Sequence, residues 1–191
     1  MKTSRLEAFS DGVFAVIITI MVLEMKVPHG ADLAALRPVL PVFLSYVLSF
    51  IILGTYWNNH HHMLQAVRQI RGPSLWANLH LLFWLSLIPF VTDWMGENNF
   101  ATWPVVLYGI VLICAGCAYT MLERSLIKYE GAHSKLAVAV GREIKGKMSV
   151  LLYAIAIPVA FVRPWLSCSI YVVIVIIWLV PDRRIERTLQ E

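Results

Sequence analysis

Long apolar blocks constrain this chain more than any other feature of its sequence. Six stretches carry few charges and have close to the roughly 20 residues that a helix needs to cross a bilayer. They cover residues 8–27, 38–63, 73–93, 103–123, 147–163 and 166–181. Backbone polar groups need internal partners in lipid, so blocks of this length predict transmembrane α-helices. We therefore expect an all-α, polytopic membrane protein, with one six-helix domain over residues 1–191.

The composition supports a membrane protein over a soluble one. Hydrophobic residues make up 59% of the chain and charged residues 15%, whereas a soluble domain carries about 25% charge. The net charge of +4 is explained by basic loops at one membrane face, so no nucleic-acid partner is predicted. Cys114, Cys117 and Cys168 lie in apolar blocks and indicate no disulfide framework. The first block contains Asp11 and Glu24 and lacks a small-residue cleavage site, so we interpret it as a retained helix.

The distribution of basic residues predicts the orientation of the chain. With both ends inside, the inner segments hold 13 Lys and Arg residues, and the outer loops hold three. Those three are Lys26, Arg37 and Arg163. Cytoplasmic loops of membrane proteins are enriched in Lys and Arg. The count therefore predicts cytoplasmic termini, an even number of spans and a multi-pass protein of the cell (inner) membrane.

The first apolar block carries unusual chemistry. At 100° per residue, one face of a helix collects a row of residues that runs the length of the block. The row consists of Arg5, Phe9, Gly12, Val16, Thr19, Ile20, Leu23 and Val27. Asp11 points roughly the opposite way, toward neighbouring helices. An ionisable group at membrane depth needs a partner, so we expect a hydrogen bond that holds helices together.

A run of histidines follows Trp57 at the inner end of the second block. Adjacent residues on a helix point in different directions, so His60, His61 and His62 cannot all bind one metal ion. We predict no metal site, and we expect His60 or His61 to bond to Asp11, without deciding between them. Motifs for nucleotide, zinc-protease or serine-hydrolase chemistry are missing from the sequence, so neither an enzyme nor a cofactor is predicted. The T-V-G-Y-G filter of ordinary potassium channels is missing too.

Three motifs resemble a known family. Arg5-x-x-x-Phe9-Ser10-Asp11 is similar to the R-x-x-x-F-S-D signature of the endolysosomal potassium channel family, in its bacterial branch. The segment Trp57-x-x-His60-His61 resembles the second-helix motif of that family. The segment 89–92, Pro-Phe-Val-Thr, resembles its third-helix ending. The six blocks fill the whole chain, as the family pattern requires.

The resemblance implies a potassium-permeable channel, with potassium ions, the lipid bilayer and further copies of the chain as partners. It implies a homotetramer in which four first helices line a central pore, narrowed by apolar rings instead of a carbonyl filter. The implied pore-lining residues are Val16, Thr19, Ile20 and Leu23. The implied interhelical polar network consists of Arg5, Ser10, Asp11, Trp57, His60 and His61. Glu24 lies near the expected outer mouth, where it would concentrate cations. Val16 stands where Ile or Leu is usual, which implies a wider constriction.

Other functions use the same residues differently. A proton- or solute-coupled secondary transporter would use Asp11 with His60 or His61 as a relay. Such transporters usually contain internal repeats with broken helices. No repeat of the first-helix signature is evident between the first and last blocks, which disfavours this function. A metal-dependent membrane enzyme and a non-conducting accessory subunit are further alternatives.

Overall fold

The computed structural model of the chain describes residues 3–67, 69–131, 134, 136–137 and 144–179. Within these residues the structure is helical, without a strand. The helices are α1 (Thr3–Leu23), a 3₁₀ helix (Leu33–Val39), α2 (Leu40–Gln65), α3 (Gly72–Ser86), α4 (Ile88–Glu97), α5 (Thr102–Glu130), α6 (Ile144–Val162) and α7 (Pro164–Leu179). The all-α fold predicted from the sequence is confirmed.

Six segments of the described chain have the length and character of membrane crossings. Five are long and apolar enough to span a bilayer: Thr3–Leu23, Leu33–Gln65, Gly72–Glu97, Thr102–Glu130 and Lys145–Val162. The sixth, Pro164–Leu179, is a shorter apolar helix. The protein is thus a multi-pass membrane protein. An even number of crossings places the first and last described residues on the same side of the membrane.

The third crossing is broken, although hydropathy predicted one continuous span over residues 73–93. Helix α3 ends at Ser86, and α4 begins at Ile88. Pro89 has no backbone N–H, so it cannot donate to the carbonyl of Leu85 as a continuing helix requires. The N–H of Leu87 bonds to the carbonyls of Trp84 and Leu85 instead, which tightens the last turn. The break lets α4 present a different face from α3.

Two helices are longer than the predicted spans at one end, because polar residues beyond the apolar block continue the helix. Helix α1 begins at Thr3, five residues before the predicted start, because its first turns are amphipathic and lie at the bundle end. Helix α5 continues to Glu130 and ends at Gly131, whose φ of 101° stops the helix. Most of the rest of the polar link at 124–146 lies outside the described residues. Only Arg163 separates α6 from α7, as the predicted hairpin requires.

Helix α5 lies in the centre of the subunit and packs against α3, α4 and α6. Its fully buried residues include Leu112, Ala115, Ala118 and Leu122. At Gly109 the side chain of Tyr171 crosses the helix so closely that a Cβ would lie 2.3 Å from the tyrosine oxygen. The Tyr171 hydroxyl donates to the carbonyl of Val105 at 3.0 Å. This contact fixes α7 against the central helix.

Helix α1 lies at the edge of the subunit, against α2, α3 and α4. We call the end of the bundle where α1 begins and α2 ends the inner end. The opposite end, where α1 and α4 end, is the outer end. The position of α1 at the edge leaves one side of this helix uncovered by its own subunit.

Candidate functional site

Helix α1 has one buried and one exposed face. The exposed face carries the row of residues, from Arg5 to Leu23, that the sequence places on one side of the helix. The buried residues are Leu6, Ser10, Phe14, Ile17 and Met21. Val16 is 56% exposed, Ile20 39% and Leu23 78%. In lipid, an aliphatic side chain is about equally stable whether it faces the lipid or another helix. The exposure of these residues therefore does not by itself show that they line a pore. The side chains of these three residues, which are the apolar part of the expected pore lining, therefore point away from the rest of the subunit.

Thr19 shares the exposed face. Its hydroxyl is within hydrogen-bond distance of two carbonyls of its own helix, Val16 at 2.9 Å and Ala15 at 3.1 Å. The hydroxyl proton is therefore directed to the helix backbone. A threonine oxygen also has two acceptor lone pairs, so Thr19 presents an acceptor to whatever lies beside α1.

A buried chain of hydrogen bonds links three helices at the inner half of α1. Nε2 of His60 on α2 donates to Oδ1 of Asn78 on α3 at 2.7 Å. Nδ2 of Asn78 donates to the Ser10 hydroxyl at 3.0 Å, and Ser10 donates to the carbonyl of Leu6 at 2.9 Å. All three side chains are fully buried. This arrangement uses both groups of the Asn78 amide, and it fixes the His60 tautomer with a proton on Nε2.

A second set of contacts between α1 and α2 is more exposed to solvent than the buried chain. The indole N–H of Trp57 donates to Oδ1 of Asp11 at 2.9 Å. Nδ1 of His61 lies 2.7 Å from Oε1 of Glu7, and Gln65 contacts Nε2 of the same ring at 2.8 Å. The rings of Trp57 and His61 stack with centroids 6.0 Å apart. These contacts hold the first turns of α1 against the end of α2.

The partner of Asp11 differs from the one expected from the sequence. Within the described residues neither His60 nor His61 contacts Asp11, and Trp57 takes that place. The rotation of α2 directs His60 toward α3 and His61 toward Glu7, which leaves the indole facing the carboxylate. Arg5 is exposed on α1 and makes no hydrogen bond or ion pair with the described part of its own subunit. Its expected place in the network is therefore not formed within one chain.

Charged groups cluster at the outer end of α1. Glu24 follows the last turn of the helix and is exposed. Lys26 pairs with Glu97 at the end of α4, and this hydrogen bond, with the attraction between the charges, raises the pKa of Lys26. Asp93 lies one turn before Glu97, and its Oδ1 is buried without a partner among the described residues. Two carboxylates, those of Glu24 and Asp93, are thus left without a basic partner in this part of the subunit.

A groove of about 780 Å³ runs between the exposed face of α1 and α4. Val16, Ile20 and Glu24 line its α1 side. Phe90 and Asp93 line its α4 side, next to the Pro89 that breaks the third crossing. The family-like segment at 89–92 therefore lies directly beside the expected pore-lining residues.

The part of the chain that the structure describes contains no group of three His, Cys, Asp or Glu side chains that could hold a metal ion. His60 and His61 diverge toward different helices, as their adjacent positions on α2 require. Three members of the network, Glu7, Gln65 and Asn78, were not predicted from the sequence. An amide in the middle of an apolar span was the available signal for Asn78, because such groups usually bond across helices. Glu7 gave no such signal, since an acidic residue at a helix start is ordinary.

Several known proteins resemble this chain. Residues 5–89, which contain every member of the network, match the family model described as the endosomal/lysosomal potassium channel TMEM175. A potassium channel of Chryseobacterium sp. (strain P1-3) is 52% identical over 191 residues, which is the whole of both chains. The crystal structure of a lysosomal potassium-selective channel TMEM175 homolog from Chamaesiphon minutus is 27% identical. It superimposes with a TM-score of 0.77 over 93% of this chain and 96% of that one.

A human relative matches a smaller part of the chain. The human endosomal/lysosomal proton channel TMEM175 is 35% identical over 96 residues, which is 44% of this chain and 19% of the human protein. The names of these relatives are those of channels for cations, potassium in the bacterial proteins and protons in the human one. None of the three is named as an enzyme.

Proposed function

Since the chain belongs to the TMEM175 potassium channel family, we propose that it forms a homotetramer in the cell (inner) membrane, with a potassium-permeable pore between four copies of α1. The observation that carries the proposal is the uncovered face of α1. Val16, Thr19, Ile20 and Leu23 lie on that face, and the opposite face is packed into the subunit. A helix with this placement can surround an axis together with symmetry-related copies.

Thr19 is the polar contact for the ion in this proposal. Its proton is directed to the helix backbone, which leaves the oxygen lone pairs toward the pore. Four such oxygens replace part of the hydration shell of a potassium ion, which is the role that carbonyl rings have in other channels. Because the hydroxyl is held by its own helix, the ring needs no support from other side chains.

Val16, Ile20 and Leu23 form the gate in this proposal. Rings of apolar side chains block ion flow by excluding water when the pore is narrow. Each of these side chains is more than a third exposed in the single subunit, so it is free to contact the same residue in neighbouring copies. Valine at position 16 is smaller than Leu23 or Ile20, and this ring is therefore the one where a small helix movement admits water.

Glu24 and the network complete the mechanism. Glu24 lies one residue beyond α1, where its charge attracts cations to the outer mouth. The network of Ser10, Asp11, Trp57, His60 and His61 holds the inner half of α1, so that the lining residues keep a fixed rotation around the pore. Arg5, which has no partner within the described subunit, is assigned to a contact with a neighbouring copy.

The test is ion flux in liposomes that contain the purified full-length protein. Potassium, sodium and proton gradients are applied in turn to the wild type, Val16→Asn and the control Val22→Asn. Val22 is 44% exposed and lies about 120° from Val16 around the helix, so it matches in residue type and exposure but not in direction. We expect potassium flux to exceed sodium flux, and Val16→Asn alone to raise the leak.

Three outcomes decide among the functions. Equal effects of Val16→Asn and Val22→Asn would contradict a pore on the proposed face. A saturating flux that requires a proton gradient would support a coupled transporter using Asp11 and the histidines. No flux from a folded oligomer in any gradient would support a non-conducting accessory protein.

A further inference from the structure

A partly open cavity of about 60 Å³ lies between α2, α5, α6 and α7, away from the groove beside α1. Apolar side chains, among them Ile52 and Val175, form most of its wall. Gly116 on α5 contributes to the space. A Cβ added there would lie 3.7 Å from the Tyr56 oxygen and 3.9 Å from Cγ2 of Val150, which is ordinary contact. The cavity therefore remains after a small side chain is added and disappears with a large one.

Three polar side chains on the cavity wall are not hydrogen-bonded within the described part of the chain. Tyr56 and Asn59 on α2 and Tyr153 on α6 line the cavity, and none of their side chains forms a hydrogen bond with the described residues. Tyr153 is only 5% exposed. The polar atoms of the three side chains open onto the cavity, since none of them is among the fully enclosed atoms of the described chain that lack a hydrogen bond. Native proteins rarely leave such groups without a partner. The unpaired groups indicate an occupant that can both donate and accept hydrogen bonds.

Other buried tyrosines of the same bundle show that pairing is the rule here. The Tyr108 hydroxyl lies 2.9 Å from Oγ of Ser49. The Tyr171 hydroxyl lies 3.0 Å from the carbonyl of Val105. Both rings are fully buried, as Tyr153 nearly is. The difference between these tyrosines and Tyr153 is the cavity in front of the Tyr153 hydroxyl.

The size and the wall of the cavity limit the chemistry of the occupant. The cavity, at about 60 Å³, is smaller than the engineered apolar cavity of about 150 Å³ that holds benzene. Because it is partly open, it takes the hydroxyl end of a short molecule, and the rest of that molecule extends through the open side. Among the residues that the structure describes, no charged side chain lines the cavity, and an ion would lose its hydration without compensation. We infer that the cavity is a binding site for a small uncharged amphiphile of the alcohol class. Its hydroxyl pairs with Tyr153 and with Tyr56 or Asn59, and its short alkyl chain packs on the apolar wall.

The site lies behind the turn of α2 that holds α1. Tyr56 and Asn59 face the cavity, and Trp57 and His60, which are their neighbours in the chain, bond toward Asp11 and Asn78. An occupant that moves this turn changes the position of α1. This effect on ion flux rests on the proposed function, whereas the binding itself does not.

Photolabelling tests the binding. The purified full-length protein in liposomes is irradiated with the photoreactive alcohol 3-azibutanol, with and without excess butan-1-ol, and the labelled residues are identified by mass spectrometry. We expect saturable labelling around Tyr56, Asn59 and Tyr153. Tyr153→Phe should bind about fivefold more weakly, the usual effect of losing one neutral hydrogen bond. Gly116→Leu should lose the labelling, and the control Gly116→Ala should keep it.

Two results would overturn the site. One is labelling spread without saturation over lipid-exposed residues such as Leu151 and Leu166. The other is unchanged labelling in both Tyr153→Phe and Gly116→Leu, and the tyrosine variant decides if the leucine variant does not fold. Potassium flux is measured on the same samples. Flux altered by butan-1-ol in the wild type but not in Gly116→Leu supports the coupling to α1, and saturable labelling with unaltered flux refutes only that coupling.

Discussion

The two halves of α1 are held in different ways. In the inner half, residues 3–14, side chains bond to three other segments: Thr3 to the carbonyl of Val67, Glu7 to His61, Ser10 to Asn78 and Asp11 to Trp57. In the outer half, residues 15–23, the described structure contains no side-chain hydrogen bond to another helix. Thr19 bonds only to its own backbone, and Ile17 and Met21 contribute apolar packing.

This difference indicates that the inner half of α1 anchors the helix, and that the outer half is the part to which we assign conduction. Polar bonds across helices have fixed directions, so the inner half sets the rotation and depth of α1. Apolar contacts tolerate small shifts, so the outer half can change its distance from the proposed pore axis without losing a bond. In the proposed pore, a polar side chain from another helix that bonds beside Val16 or Thr19 would also compete with the ion. Changes in the inner half should therefore affect stability first, and changes in the outer half should affect conduction first.

The largest effect on stability is expected from Asn78→Leu. The substitution keeps the size of the side chain but leaves Nε2 of His60 and the Ser10 hydroxyl without a shared partner in a fully buried site. Ser10 keeps its bond to the carbonyl of Leu6, so the expected cost is that of one unsatisfied buried group, about 1–3 kcal/mol. Denaturant unfolding of the purified protein measures the loss. Asn98→Ala, at an exposed residue, is the control, and equal stability of the two variants would contradict an anchoring role for the inner half.

A smaller effect is expected from Asp11→Asn and Trp57→Phe. Each weakens the same hydrogen bond at a partly exposed site, and we expect a loss of about 1 kcal/mol from either. The double variant should lose less than the sum of the two, because one bond is removed only once. Size-exclusion chromatography with light scattering should show weaker assembly, with selectivity less affected. An Asp11→Asn assembly as heat-stable as that of the wild type would refute this role of Asp11.

Thr19→Val should leave stability almost unchanged. The residue is exposed and bonds only to its own helix, so the free energy of unfolding should change by less than about 0.5 kcal/mol. The ratio of potassium to sodium flux should fall, because four oxygens leave the proposed ion path. Ser169→Ala on α7, which removes a similar bond to its own helix at an exposed position, is the control. A retained flux ratio in Thr19→Val would exclude these oxygens as the selective contact.

The smallest effect is expected at the outer end of α1, where the exposed Lys26–Glu97 pair joins the loop after α1 to α4. The raised pKa of Lys26 means that its contribution is complete below the ordinary lysine pKa and is lost as pH rises through the raised value. Between about pH 6 and 9 the Lys26 charge should not change. Because the pair is exposed to solvent, its contribution is small, and Lys26→Met should lose only a little stability, by the same amount throughout this range. A clear loss of stability would show that the outer end is anchored too.

Much of this arrangement was accessible from the sequence. The six crossings follow from block length, since a bilayer has a fixed thickness. The exposed row on α1 follows from the 100° period, and the residues read on it are those the subunit leaves uncovered. The break at Leu87 was missed because hydropathy outweighed the effect of Pro89. Asn78 was missed because a single amide among apolar residues changes hydropathy little.

Local hydropathy and helix geometry are enough to assign the membrane segments and the distinct side of α1, so both can be read from the sequence. The partners of the polar side chains depend on how the helices pack. His60 and His61 are 100° apart on α2, so the rotation of that helix selects Asn78 for one and Glu7 for the other. The same rotation brings Trp57 to Asp11. That rotation results from the packing of α2 against α1, α4 and α7 together, and no stretch of sequence specifies it alone.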